Sequence, residues 1–166
     1  AGADMVNGSL LSHLKDASDI EAGSWRAAQC SRLRGLRTEL DHALTEIRKF
    51  IPELSSALGR VRHGYDSVNT HYAGFYSRDS EQIVINLAAF MNRSHDSRAI
   101  RIDLLLTVLH EMAHLLISPN MSHGPIWQNT LQNLIALFMR SSSSNTSNTS
   151  SSSSNTTSGA SSNNTM

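Results

Sequence analysis

Between Ser97 and Leu116 the chain carries apolar residues on almost every side of a helical wheel: Ile100, Leu104, Leu105, Val108, Leu109, Met112, Ala113, Leu115 and Leu116. A helix that is apolar all round belongs in the middle of a fold, with the other elements wrapped around it. Asp96 or Ser97 is placed to cap its first turn. The same stretch also holds His110, Glu111 and His114. Two imidazoles and a carboxylate on a buried helix are costly unless something pairs with them. The helix therefore constrains the architecture and marks where chemistry is concentrated.

The flanking sequence supplies the wrapping. Leu33, Leu36, Leu40, Leu44 and Ile47 recur at spacings of three and four, which predicts a long amphipathic helix ending near Phe50, before Pro52. A short helix from Pro52 to Leu58 is stopped by Gly59. His71–Ser77 and Gln82–Leu87 flank the polar turn Arg78–Glu81 and predict a β-hairpin. A third strand is expected around Val61–Val68. Gly124–Pro125 opens a last helix whose inner face bears Trp127, Leu131, Leu134, Ile135 and Phe138. The expectation is one α+β domain over residues 24–140. A flexible arm (1–23) precedes it and a disordered Ser/Asn/Thr-rich tail (141–166) follows.

Charge and cysteine content remove several classes of function. Fourteen basic and 14 acidic residues give zero net charge, so the chain is no polycation made for nucleic acid. Arg32, Arg34, Arg37, Arg60 and Arg62 are interleaved with acids and read as a solvated face. The single cysteine, Cys30, excludes an internal disulfide framework and a cysteine-rich zinc finger. No run of 18 apolar residues suggests a membrane span, and Ala1–Met5 lack the pattern of a signal peptide. An intracellular location is expected.

The motif His110-Glu111-Met112-Ala113-His114 is HExxH. Histidines four apart lie one helical turn apart on one face, so both can reach one ion. Zn²⁺ takes imidazole nitrogens at about 2.0–2.1 Å, and a catalytic site usually has three protein ligands. Glu111, beside the first ligand, is then free to act as general base toward a water at the metal. His123 follows His114 by nine residues, beyond a loop that allows the chain to reverse. No Asp or Glu occurs after Glu111, which excludes a downstream acidic third ligand and favours His123.

His110-Glu111-Met112-Ala113-His114 followed by His123-Gly124-Pro125-Ile126-Trp127 resembles the zinc signature of SprT-like and WLM-type metallopeptidases, in which His-Gly-x-x-Phe/Trp follows HExxH after a variable loop. The resemblance covers roughly residues 70–139. It implies a minimal zincin fold, zinc held by His110, His114 and His123, and peptide-bond hydrolysis with Glu111 as base. Spartan-like members act on proteins crosslinked to DNA. The charge balance here lends no support to a DNA partner, and a protein or peptide substrate is the primary expectation.

Tyr72, Tyr76 and His71, near the hairpin, are further expected to donate to a developing oxyanion or to substrate. His13, His42, His63 and His95 have no ligand-like spacing and read as surface or cap residues. Two other functions fit the same ligand set. One is a non-proteolytic zinc hydrolase; the other is an interaction module with a structural zinc.

Overall fold

A computed structural model describes residues 13–16, 27–117 and 123–149. Three helices, three strands and two 3₁₀ turns build the described frame around the expected central helix. Helix α1 spans Ala27–Phe50, and a 3₁₀ turn (Pro52–Leu54) runs into the four-residue helix α2 (Ser55–Leu58). Strands β1 (Val61–Gly64), β2 (Gly74–Ser77) and β3 (Gln82–Asn86) follow. A second 3₁₀ turn (Leu87–Phe90) leads to α3 (Ser97–Leu116), and α4 covers Pro125–Thr149. The architecture is α+β, as the sequence leads one to expect. No helix among the described residues is long and apolar enough to cross a membrane.

The leucine stripe of α1 is its buried face: Leu33, Leu36, Leu40 and Ile47 are all at or below 1% exposure. Full burial of each such side chain contributes about 1.5–3 kcal/mol. They pack on α3, which also receives the sheet and α4. Asp96 caps α3 by accepting from the Arg98 amide at 2.9 Å. The helix is central, but its burial is not complete. Ile102 and Leu106 are exposed on an outer strip.

The hairpin forms, with β2 antiparallel to β3. Its strands are shorter than the sequence pattern suggests, because His71–Ala73 belong to a folded loop instead. Glu81 closes the turn in the left-handed region (φ 51°). The third strand ends at Gly64 and pairs with β3 in parallel, so the order is β1–β3–β2 with β3 central.

A buried polar knot shapes the loop between β1 and β2. Asp66 and Asn86 are both fully buried. The Asp66 carboxylate accepts from the amides of Val68 and Asn69, from Asn69 Nδ2 and from the Tyr72 hydroxyl, all at 2.9–3.0 Å. Asn86 accepts from the Asp66 and Ala88 amides and donates to the carbonyls of Asp66, Asn69 and Tyr72. Each of these buried groups is satisfied, as a polar cluster in a core must be. The knot sets where β2 begins.

Both chain ends differ from expectation where they are described. Within the stretch read as a flexible arm, Lys15 exchanges backbone hydrogen bonds with Tyr65 at 2.9 and 2.8 Å, and Leu14 packs on Tyr72, Phe75 and Val84. The rest of residues 1–23 lies outside the described residues. At the other end α4 does not stop at Arg140 but continues through Thr149, into the segment read as disordered. There Ser142 and Ser144 donate their hydroxyls to the carbonyls of Met139 and Arg140, a local alternative to solvation. Residues 150–166 are outside the described residues.

Candidate metal centre

Two segments contribute to one site, helix α3 and the residues that lead into α4. His110 and His114 stand one turn apart near the C-terminal end of α3 and project to the same side. His123 lies just before α4, whose first turn is set by Pro125 and by the Gln128 amide donating to the Gly124 carbonyl at 3.0 Å. The three imidazoles converge. His114 Nε2 and His123 Nε2 are 2.9 Å apart, and ring centroids are separated by 5.4 Å (His110–His114), 5.1 Å (His110–His123) and 4.8 Å (His114–His123). One ring nitrogen from each lies within 4.8 Å of the others.

This donor set fits a zinc ion. Tetrahedral coordination at about 2.0–2.1 Å places ligand nitrogens roughly 3.3–3.4 Å apart. The closest pair is a few tenths of an ångström tighter than that, and all three donor nitrogens lie within 4.8 Å of one another. Only nitrogen donors are present in the cluster, which suits zinc better than the oxygen-seeking calcium or magnesium. The C-terminal end of a helix, where α3 carries these ligands, also favours a cation.

Burial is graded across the site. His114 is 2% exposed and Glu111 1%, whereas His110 is half-buried and His123 exposed. One side of the cluster thus faces the core and the other faces solvent, as access for a ligand requires. Glu111 Oε1 is 3.7 Å from His110 Nε2, so the carboxylate adjoins the ligand nitrogens without joining their cluster. Trp127, 8% exposed, lies against all three rings.

Gly74 was not singled out by the sequence, yet it abuts this centre. A Cβ built there would lie 3.3 Å from Glu111 Cγ, 3.3 Å from Thr107 Cγ2 and 3.2 Å from the Val84 carbonyl oxygen. The absent side chain lets β2 lie directly against the Glu111 side chain. A glycine in a short strand often signals such an approach, but nothing in the sequence says to what.

Of the residues expected to serve the oxyanion, Tyr72 has its hydroxyl committed to the polar knot. Tyr72 donates its hydroxyl to Asp66 Oδ2 at 2.9 Å within the polar knot. Burial, first, and then the bond to Asp66 raise the Tyr72 hydroxyl well above the usual tyrosine range. Tyr76 is 7% exposed and belongs to the main core. His71 is exposed, with its ring edge-on to Tyr72 at 6.0 Å. The structure gathers His110, Glu111, His114 and His123, and ties Tyr72 to another task.

Several arginines are spent internally as well. Arg32 donates to the carbonyls of Phe90, Arg93 and Ser94, Arg60 pairs with Glu81 at 3.3 Å, and Arg62 donates to Gln82. A separate groove of about 850 Å³, lined by Phe50, Leu105, Leu109, Ile135 and Phe138, lies between α1, α3 and α4 and contains none of the three histidines.

No protein family, curated protein or solved structure matches the chain.

Proposed function

We propose that the chain is a zinc-dependent metalloprotease of the SprT-like, minimal-zincin type, with His110, His114 and His123 holding the metal and Glu111 acting as the base. One observation carries the reading. A buried helix brings two histidines and a nearly inaccessible glutamate to the same point as a third histidine from another element, in a set that suits zinc.

Bound there, zinc would supply a Lewis acid for the scissile carbonyl and the attacking water. Glu111 takes a proton from that water as its oxygen bonds to the carbonyl carbon. Glu111 then delivers the proton to the leaving nitrogen as the carbon–nitrogen bond breaks. Its burial keeps the carboxylate from competing water, and β2 passes beside its side chain at Gly74. His110 and His123 form the open side through which an extended peptide approaches.

The carboxylate beside the ligand set favours this reading over a structural zinc module, which needs no base. In the test, E111Q retains zinc and loses at least ~100-fold in peptide hydrolysis, within the range for a general base. Unchanged hydrolysis in E111Q overturns the proposal. A panel of peptides and small amides separates proteolysis from another zinc-dependent hydrolysis. Action on DNA-crosslinked proteins would appear as stimulation by DNA that falls steeply with salt.

A further inference from the structure

We infer that Trp127, assisted by Gln128, is the positioning residue of the three-histidine centre: the first turn of α4 acts as a clamp that holds His123 in register with His110 and His114. This rests on the metal reading above and extends it to residues that ligate nothing.

The ligands come from two elements. His110 and His114 share α3, whose backbone fixes their spacing. His123 does not lie on α3, so its position depends on whatever ties the start of α4 to the last turns of α3. Trp127 supplies that tie. Its indole centroid is 4.4 Å from the His123 ring, 4.7 Å from His110 and 5.3 Å from His114, with the last pair stacked at 27°. A flat ring touching three imidazoles restricts the rotation of each. Indole Nε1 also donates to the His110 carbonyl at 3.4 Å, which joins α4 to the turn of α3 that carries the ligands. Gln128 adds a link from the other side: its Nε2 donates to the His123 carbonyl at 3.3 Å. Groups that orient metal ligands without binding the metal typically carry 10–100-fold of the affinity.

The clamp is separable from general stability. A core truncation remote from the histidines, L36A on α1, removes packing but leaves the clamp intact. It should lower Tm and leave zinc affinity within about twofold. W127L removes the flat ring and the donor together, and should weaken zinc by at least ~10-fold while the chain remains folded. W127F keeps a ring but loses the N–H, and should fall between wild type and W127L. Q128A should cost roughly threefold, the effect of one exposed hydrogen bond.

The experiment is competition of the full chain with a chromophoric zinc chelator, with circular dichroism confirming the fold of each variant. A second readout uses W25F, in which Trp127 is the single tryptophan. Co²⁺ should quench its fluorescence and saturate at one equivalent. Wild-type affinity in both W127L and Q128A, or no quenching by bound Co²⁺, overturns the clamp and leaves the metal reading standing. A wild-type chain that takes up no zinc overturns the metal reading, and the clamp with it.

Discussion

Replacing Gly74 with alanine perturbs Glu111, the proposed base, without touching any of the three histidines. The new methyl would stand 3.2 Å from the Val84 carbonyl, 3.3 Å from Thr107 Cγ2 and 3.3 Å from Glu111 Cγ, so something must yield by a few tenths of an ångström. Val84 is held by the sheet and Thr107 by helix α3. The Thr107 hydroxyl is further tied to the Asp103 carbonyl at 2.8 Å, which leaves the Glu111 side chain as the neighbour to shift. Gly74 does not use positive φ, so alanine suits the backbone and gains about 0.4–1 kcal/mol through the unfolded state. Overpacking costs about 1–3 kcal/mol. The net expectation is a loss of about 0.5–2 kcal/mol, a fall of several degrees in Tm. Activity should fall further than stability, because a misplacement near 1 Å at reacting groups can cost about 100-fold. For the smaller shift here we expect kcat down by roughly 10-fold, with KM and zinc affinity unchanged. Steady-state kinetics beside a zinc competition assay reads both. Zinc affinity falling in step with kcat, or an unchanged kcat, would refute the placement of Glu111 beside β2.

Two further predictions concern the polar groups around the sheet. Y72F should cost about 1–2 kcal/mol by removing a donor to the buried Asp66 carboxylate, with kcat preserved; lost hydrolysis at full stability would instead restore Tyr72 to the oxyanion role. Although burial pushes Asp66 up, hydrogen bonds from Asn69, Tyr72 and Val68 outweigh it and hold the carboxyl below its usual value. Its contribution is complete above the usual carboxylate range and is lost as pH falls through the lowered value, so Y72F should unfold at a higher pH on acid titration. His63 is shifted downward, chiefly by burial and then by Arg37. Folding thus disfavours its protonation, and the stability present above about pH 6.5 is lost as pH falls below it. With zinc removed by chelator, wild type should lose more stability than H63Q between pH 7.5 and 5.5, and parallel curves would count against this.

Much of the frame is legible from local pattern. The stripe Leu33–Leu36–Leu40–Ile47 identifies the buried face of α1, Pro52 marks its end, and Asp96 marks the start of α3. These signals lie within one or two turns of the residues they govern. The site was legible for a similar reason: His110, Glu111 and His114 are linked by helical spacing alone. His123 is marked in the sequence by the loop that lets the chain reverse and by the lack of later acids, and the structure brings it to the same cluster.

Features set by contacts between distant segments left no such mark. The parallel pairing of β1 with β3 joins Val61 to Ile83 although β2 comes between them in the chain, and strand propensity carries no register. The knot of Asp66, Tyr72 and Asn86 spans 20 residues, so Tyr72 looked available when its hydroxyl was already engaged. Gly74 carries no sign of its role in the sequence because its neighbour Glu111 lies on another element. The extension of α4 past Arg140 leaves no mark in the sequence because serine, threonine and asparagine have weak helix propensity, and the helix there is carried on from an already packed segment.

The account turns on whether the three histidines bind zinc, and metal analysis of the purified chain beside H123A tests that most directly. Wild type should hold one zinc per chain after dialysis, and H123A, left with two ligands, should hold little or none. Wild type without stoichiometric zinc, or H123A retaining a full equivalent, would contradict it.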